Sequence, residues 1–367
     1  MIEKRAPGKL YIAGEYAVVE PGGSAVLVAV DRYITVRLTE GADRGRVRSS
    51  AYGRTPLEWV RDDAGDRIIL EHHPTDYVFA AITATEQLRS SRGLAPRYYD
   101  LDISSELDDV SGQKYGLGSS GAVTVAVIAA LDEFYRLGLT ATERFKLALL
   151  ATIDVSPDSS GGDLAASTFG GWIRYSSPDR GALRTHRAAV GTVETLFADR
   201  AWAGSGVSRL PHPNHLDLLV GWTGSPASTE RLVEQVRDAE GRPAVIPYDS
   251  FAGDSRACVD DLAAAFARGG EGALDVVHRA RRVLQRLSAS SGVLIETARL
   301  RALCDIAERH GGAAKPSGAG GGDCGVVLTR TEGPAGPADR IIREWRENGI
   351  LPLSLAPHPA TGDIDDF

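Results

Sequence analysis

A glycine-rich loop that runs directly into an apolar segment constrains this chain more than any other feature. The loop is Lys114-Tyr-Gly-Leu-Gly-Ser-Ser-Gly121, and the apolar segment covers residues 122–131. The glycines let the backbone approach a ligand, and a helix that starts at the loop presents free N–H groups and the positive end of its dipole. Such a loop is an anion site, and the natural anion for a loop of this length is a nucleotide phosphate.

Two known loop patterns share the spacing Gly116-x-Gly118-x-x-Gly121. A dinucleotide-binding loop follows a strand directly and has an acidic residue about 20 positions later, whereas here a polar stretch precedes the loop and a second helical pattern follows it. A protein-kinase loop needs histidine-arginine-aspartate and aspartate-phenylalanine-glycine motifs, and neither occurs. The sequence therefore favours a phosphate-binding loop of another kind over a dinucleotide-binding loop and a protein-kinase loop. It also favours such a loop over a glycine turn that only packs against a buried helix.

Composition limits the class of protein. The chain has 367 residues, which suggests two domains, and its 43% hydrophobic residues can form a sizeable core. A net charge of −8 argues against a nucleic-acid partner. The sequence shows no apolar run of membrane-spanning length and no charged-then-apolar leader. Three widely separated cysteines fit reduced thiols. We therefore expect a cytoplasmic protein with no membrane partner.

The order of strand and helix patterns predicts an α+β protein. The main strand patterns cover residues 10–13, 25–30, 34–38, 98–103, 171–175, 216–222 and 325–328. The main helical patterns cover residues 75–90, 142–153, 228–239, 251–267, 271–289, 295–309 and 338–348. A polar stretch near residue 180 predicts a boundary between domains 1–180 and 181–367. The acidic, proline-containing tail, residues 356–367, is expected to fray.

Lysine is scarce in this chain and is placed unevenly. Only five of the 41 basic residues are lysines, and Lys9, Lys114 and Lys315 lie beside glycine-rich turns. In an acidic protein this placement predicts point charges reserved for phosphate oxygens. Ser225 lies between a strand and a helix pattern, so it is a candidate for binding the phosphate or carboxylate of a substrate.

Two further glycine-rich segments frame the central loop. They are Ala6-Pro-Gly-Lys9-Leu-Tyr-Ile-Ala-Gly-Glu15 and Lys315-Pro-Ser-Gly-Ala-Gly-Gly-Gly-Asp323. In this order the three motifs resemble those of the superfamily of galactokinase, homoserine kinase, mevalonate kinase and phosphomevalonate kinase, the GHMP kinases. The segments Ser160-Gly-Gly-Asp163-Leu-Ala-Ala-Ser-Thr-Phe-Gly-Gly-Trp172 and Val220-Gly-Trp-Thr-Gly-Ser225 are similar to the bacterial-type phosphomevalonate kinase family. The resemblance covers roughly residues 5 to 355.

The resemblance implies a two-domain GHMP kinase fold. The N-terminal domain would be like domain 2 of ribosomal protein S5, the C-terminal domain would be ferredoxin-like, and the active site would lie between them. The implied reaction is phosphorylation of (R)-5-phosphomevalonate to 5-diphosphomevalonate by ATP with Mg²⁺, in isoprenoid biosynthesis. We expect a monomer or a homodimer.

The resemblance also assigns site residues by motif. Lys9 and Asp163 are the expected catalytic residues, and Ser120 is the expected magnesium contact. The expected contacts to the ATP phosphates are Lys114, Gly116, Leu117, Gly118, Ser119, Ser120 and Gly121. The expected substrate contacts are Lys9, Ser225, Ser317, Gly318, Ala319 and Gly320.

A phosphate acceptor changes what catalysis requires. Its second pKa is near 6, so at neutral pH the acceptor is already an oxyanion and needs a base less than an alcohol does. Two unit charges about 4 Å apart repel by roughly 4 kcal/mol at an effective dielectric near 20. We therefore expect Lys9 to matter more for turnover than Asp163 does as a proton acceptor.

Three other functions remain open at this point. The chain could be a kinase for mevalonate or another small alcohol, in which Asp163 would act on the hydroxyl. It could be a diphosphomevalonate decarboxylase on the same fold, which the form of the central loop disfavours. It could be a ligand-sensing relative without catalysis, which the presence of Lys9, Ser120 and Asp163 disfavours.

Overall fold

The computed structural model describes the chain except for residues 54, 63–64, 66, 71–75, 110, 190–191, 226, 240–247, 334–335 and 366–367. The described part contains ten α-helices and twelve β-strands in two sheets, which confirms the α+β class. The strands are β1 (Ile2–Ala13), β2 (Ser24–Glu40), β3 (Gly45–Ser49), β4 (Leu57–Arg61), β5 (Ile68–Leu70), β6 (Tyr99–Ser105), β7 (Trp172–Ser176), β8 (Gly206–Leu210), β9 (Leu216–Trp222), β10 (Ala313–Pro316), β11 (Cys324–Arg330) and β12 (Leu351–Leu353).

Capping side chains mark the start of some of the helices. Thr140 and Glu143 form a reciprocal capping box, and Asp76 accepts hydrogen bonds from two N–H groups of the first helical turn. The helices are α1 (Tyr77–Ser91), α2 (Ser119–Tyr135), α3 (Ala141–Val155), α4 (Gly162–Phe169), α5 (Arg180–Ala189), α6 (Thr229–Ala239), α7 (Tyr248–Ala267), α8 (Ala273–Ser291), α9 (Ala298–Arg309) and α10 (Pro337–Glu347).

The first sheet is organised around β2. β1 pairs with β2 along most of its length, β7 pairs with its first part, and β6 pairs with its second part. The strand patterns predicted at 25–30 and 34–38 are thus one continuous strand. Its first seven residues form an apolar run that is buried throughout, as expected for a strand covered on both faces. Helices α2, α4 and α7 pack against it.

The second sheet has the order β10-β11-β9-β12, and all of its neighbouring strands are antiparallel. Helices α8 and α9 pack on β10 and β11, and α10 packs on α9 and β12. A separate small core that includes Leu303, Val327, Ile341 and Trp345 holds this layer together.

The first sheet continues beyond residue 180, because β8 pairs with β7. The predicted boundary at 180/181 stays a prediction, and this pairing favours a later division, after β8.

The tail does not fray as predicted. Residues 356–365, here called the tail segment, lie across the first domain. His358 donates its N–H to the carbonyl of Ala29 at 2.8 Å and accepts from the N–H of Gly171 at 2.9 Å. Thr361 donates to the carbonyl of Phe169 at 2.8 Å. The prediction was wrong because these bonds join the tail to residues far away in the sequence, in β2, at the end of α4 and just before β7, which no local signal in the sequence shows.

Candidate active site

A cavity of about 570 Å³ lies where the two sheets and their helices meet. Its walls come from the end of β1 and the turn after it, the loop before α2, the turn before α4, the start of α6, and the third glycine-rich segment, together with Tyr77 of α1. The three motifs singled out in the sequence therefore converge on one site.

The central loop ends in an uncapped helix N-terminus. Gly116 and Gly118 have φ values of 81° and 79°, in the left-handed region that favours glycine. Gly118 is the N-cap of α2 and no side chain caps that helix, so the N–H groups of its first turn are available to an anion. Ser119 and Ser120 follow and line the cavity.

Each glycine of this loop packs against an ionisable side chain. A Cβ placed on Gly116 would lie 2.6 Å from the Asp323 side chain, and one on Gly118 would lie 2.8 Å from Cε of Lys9. A Cβ on Gly121 would lie 2.5 Å from the Asp163 carboxylate. The loop therefore has no room for side chains, and its position is coupled to that of three charged residues.

Lys9 lies on β1 and is buried beneath the loop. Its backbone N–H donates to the carbonyl of Leu117 at 2.8 Å, and its ammonium donates to the carbonyl of Gly116 at 3.4 Å. Burial lowers the pKa of Lys9, and the carboxylates of Asp163 and Asp323 oppose that change. A cation held by carboxylates at the phosphate loop can balance charge on a transferring phosphoryl group.

Asp163 is the second residue of α4, and the N-cap of that helix is Gly161. Asp163 is therefore not a capping residue, and its carboxylate faces the cavity. Burial raises the pKa of Asp163, and the nearby Lys9 opposes this. The turn before it is fixed, because Tyr175 donates to the carbonyl of Ser160 at 2.6 Å and the hydroxyls of Tyr11 and Ser160 are 2.8 Å apart.

The third motif lies against the first. The hydroxyl of Ser317 accepts from the N–H of Tyr11 at 2.9 Å and donates to its carbonyl at 3.1 Å. The hydroxyl of Tyr16 donates to the carbonyl of Ala319 at 2.6 Å. Asp323 accepts a hydrogen bond from the N–H of Ala227 at 3.0 Å, so it fixes the loop before α6.

The structure brings most of the expected site residues together. Those that line the cavity are Lys9, Lys114, Gly116, Gly118, Ser119, Ser120, Asp163, Gly318 and Ala319. Their individual roles stay predictions.

Five expected contacts do not line the cavity: Leu117, Gly121, Ser225, Ser317 and Gly320. Leu117 is buried in the core, and Gly121 lies behind Asp163. The hydroxyl of Ser317 is engaged by β1, and Gly320 packs tightly on the carbonyl of Ile295. Ser225 is exposed, and its carbonyl accepts from the N–H of Asp323. A contact between these five residues and a ligand stays a prediction.

Lys315 corrects the expectation drawn from the placement of lysines. It is fully buried and outside the cavity lining, and its ammonium is paired with the carboxylate of Glu15. Lys9 and Lys114 line the cavity as expected.

Sequence reasoning missed several residues at the mouth of the cavity. Tyr77 donates to the carboxylate of Glu230 at 3.0 Å, and Arg237 forms an ion pair with Asp158 at 2.9 Å. Both contacts join α6 to the first domain. Asp158 could have been noticed because it lies next to the serine-glycine turn before Asp163, but no pattern marks Tyr77 or Glu230.

Within the described residues, no cluster of three or more histidine, cysteine, aspartate or glutamate side chains is arranged to hold a metal ion. The described helices also include none that combines the length and apolar character needed to cross a membrane.

Comparison with known proteins identifies the fold and the family. The chain matches the models of the GHMP kinases N-terminal domain at residues 76–171 and the GHMP kinases C-terminal domain at residues 264–351. It is 45% identical over 372 residues to a phosphomevalonate kinase of Streptomyces sp. (strain CL190), covering 97% of each chain.

Two solved structures are similar along nearly their whole length. The Lin0012 protein from Listeria innocua has a TM-score of 0.88 at 35% identity, covering 100% of this chain and 99% of that one. Streptococcus pneumoniae phosphomevalonate kinase in complex with phosphomevalonate and AMPPNP has a TM-score of 0.83 at 28% identity, covering 97% of this chain and 100% of that one. With both domain models matched and the Streptomyces relative aligned end to end, the chain belongs to the phosphomevalonate kinase family of the GHMP kinases.

Proposed function

We propose that this chain transfers a phosphoryl group from ATP to (R)-5-phosphomevalonate, giving ADP and 5-diphosphomevalonate for isoprenoid synthesis. One observation carries the proposal: Lys9 and Asp163 meet an uncapped helix N-terminus inside one cavity between two domains. The Streptomyces relative is named for this activity, and the S. pneumoniae structure contains both phosphomevalonate and a nucleotide analogue.

The cavity suits the triphosphate of ATP at the loop before α2. Gly116 and Gly118 leave the backbone open, and the first-turn N–H groups of α2 are uncapped. Magnesium usually keeps several waters and binds through substrate phosphates with one or two protein groups. Within the described residues no group of side chains is arranged as a dedicated metal site, and a serine hydroxyl lies at the phosphate loop, which fits that coordination. Ser120 would hold the ion, which would supply charge neutralisation on the phosphates.

Lys9 and Asp163 supply the other contributions that the reaction requires from the protein. The acceptor phosphate is an oxyanion at neutral pH, so the main barrier is repulsion between two phosphate groups. Lys9 brings a positive charge to the point where they approach, in a site largely removed from water. Asp163 balances Lys9 and orients it toward the loop.

Kinetics of two variants test this division of roles. We expect Lys9→Met to reduce kcat by on the order of 1,000-fold, since it removes a charge that acts on the transition state. Asp163→Asn keeps the shape and should reduce kcat less, with the wild-type pH profile retained. Equal losses, with a pH dependence that disappears in Asp163→Asn, would instead assign Asp163 as a general base.

A substrate panel tests the function itself. A coupled assay of ADP release, run with mevalonate, phosphomevalonate and no acceptor, should show ATP turnover with phosphomevalonate alone. Turnover with mevalonate, or carbon dioxide release from diphosphomevalonate, would refute the proposal in favour of another member of the superfamily. The cytoplasmic location, the lack of a nucleic-acid partner and the monomeric or homodimeric state stay predictions. Light scattering measures the last of these.

A further inference from the structure

Lys315 is a buried cation that the mechanism above does not use. It lies on β10 with no solvent exposure. Its ammonium contacts the carboxylate of Glu15 and donates to the carbonyl of Pro316 at 2.6 Å. Burying an ammonium is expensive unless it is paired and hydrogen-bonded, and here both conditions are met.

Its partner Glu15 is buried but reaches the cavity wall. Glu15 follows Gly14, whose φ is 97° and whose added Cβ would lie 2.3 Å from the carbonyl of Ser24. The turn therefore cannot shift easily, and the carboxylate is held in place from both sides: by the turn that carries it and by Lys315.

The ion pair belongs to a larger link between the first and third motifs. Ser317 bonds to the backbone of Tyr11, and Tyr16 bonds to the carbonyl of Ala319. The pair is the charged member of this link. All three contacts join β1, or the turn directly after it, to β10 or the segment that directly follows it.

Stability alone does not explain why an ion pair is among the contacts that join the first and third motifs. A buried ion pair is often no more stabilising than apolar residues of the same volume, whereas removing one partner is strongly destabilising. The pair has a second property: it places a carboxylate on the wall of the cavity that contains Lys9. The titratable groups facing Lys9 are Asp163 from α4, Asp323 and Cys324 from the third motif, and Glu15 from the turn.

We propose that Glu15 and Lys315 are positioning residues of the active site. The pair fixes the third glycine-rich segment to the strand that carries Lys9, and it keeps an ionised carboxylate at the cavity wall that helps to hold Lys9 as a cation. Neither residue is assigned a contact with substrate. The inference about Lys9 rests on the proposed function.

Four variants test this proposal. They are Lys315→Met, Glu15→Gln, the double variant Glu15→Gln/Lys315→Met, and Lys146→Met as a matched control. Lys146 is another buried lysine, it donates to the carbonyl of Phe197, and it does not line the cavity. The readouts are kcat with phosphomevalonate and the thermal unfolding midpoint, each measured from about pH 5 to about pH 10, a range that lies above the ordinary carboxyl pKa and reaches the ordinary lysine pKa.

In Lys315→Met, a buried carboxylate loses its cation, which is strongly destabilising. The unfolding midpoint should therefore fall further than in the double variant, where no unpaired charge is left, and kcat at neutral pH should fall on the order of 100-fold because the loop is misplaced. Tyr11 and Tyr16 also face Glu15, but burial raises the pKa of both phenols, so they stay neutral.

The double variant separates positioning from packing. It should unfold at a higher temperature than Lys315→Met, because it leaves no buried charge without a partner. Its kcat, like that of Glu15→Gln, should decline at a lower alkaline pH than the wild type, because Lys9 has lost one of its carboxylates. Lys146→Met should lower the unfolding midpoint but leave that alkaline decline where it is.

The proposal is overturned if the alkaline decline of Glu15→Gln and of the double variant coincides with the wild type. It is also overturned if Lys315→Met unfolds at the same temperature as the double variant. Failure of the proposed function gives a different result: the wild type would not turn over phosphomevalonate. The unfolding measurements need no substrate and would still decide whether the pair fixes the two motifs.

Discussion

Replacing Gly118 with alanine should separate the stability of the loop from its catalytic role. The residue has a φ of 79°, and a Cβ there would lie 2.8 Å from Cε and 3.0 Å from Cγ of Lys9. A non-glycine residue in the left-handed region costs roughly 1–2 kcal/mol. Carbon atoms prefer a separation of about 3.5–4.0 Å, so Lys9 must move by something like 1 Å.

The expected loss is therefore mainly in turnover. A misplacement of this size typically costs on the order of 100-fold in rate, which corresponds to about 2.7 kcal/mol in the barrier. Steady-state kinetics with phosphomevalonate and chemical denaturation, measured on the same preparation, give the two quantities.

Gly138→Ala is the matched control. Gly138 has a φ of 69°, and a Cβ there meets nothing within 4 Å. Its backbone cost should equal that of Gly118→Ala, while kcat should stay at the wild-type value. The reasoning fails if Gly118→Ala keeps wild-type kcat, or if both variants lose activity in proportion to their stability.

Three further outcomes are expected. Tyr77→Phe removes the hydrogen bond to Glu230 that joins α6 to the first domain. The KM for phosphomevalonate should therefore rise by up to about 10-fold while kcat is preserved. An unchanged KM would count against a role for this contact. Ending the chain after Leu355 removes the tail segment and its four backbone hydrogen bonds to the rest of the chain. At about 1 kcal/mol each, their loss should lower the unfolding midpoint measured by calorimetry by several degrees. Burial raises the pKa of all three cysteine thiols. A thiol reagent at about pH 8 should therefore modify none of them in the native protein and all three after denaturation. Labelling of the native protein would contradict the burial of these thiols.

Local signals in the sequence predicted much of the fold. The strand pattern at 216–222 matches β9, and the helical pattern at 228–239 matches α6. Such elements are specified by neighbouring residues, through apolar runs and apolar periodicity. The convergence of three glycine motifs was predictable as well, through the resemblance that their order carries.

Long-range contacts account for what the sequence did not show. Helix α5 begins in the polar stretch near residue 180 that was interpreted as a domain boundary, and it forms where Leu183 is buried against the first domain. Lys315 has the same local surroundings as Lys9, a glycine-rich turn in an acidic chain. The difference comes from Glu15, which is 300 residues away from Lys315 in sequence. Glu15 pairs with Lys315 and ties it to the first motif, whereas Lys9 stays at the phosphate loop.

The charge of the cavity lining bears on how two anionic molecules could bind there. Among the described lining residues the basic ones are Lys9 and Lys114, while the acidic ones are Glu15, Asp158, Asp163, Glu230, Glu234 and Asp323. Side-chain charge alone would therefore repel both substrates. Attraction must come from the uncapped N-terminus of α2, from backbone N–H groups and from cations that arrive with the nucleotide.

The choice of lysine over arginine fits this distribution. Arginine supplies most of the chain's 41 basic residues, yet no arginine is among the described lining residues. An arginine fork binds a phosphate in a fixed, bidentate geometry, whereas a lysine ammonium is a compact charge on a flexible stem. The transferring phosphoryl group moves between two anions. A lysine ammonium can move with it, whereas an arginine in a fixed bidentate geometry would stabilise the starting position. The acidic surroundings then have a role of their own, because they keep a buried Lys9 positively charged while its pKa is lowered by burial.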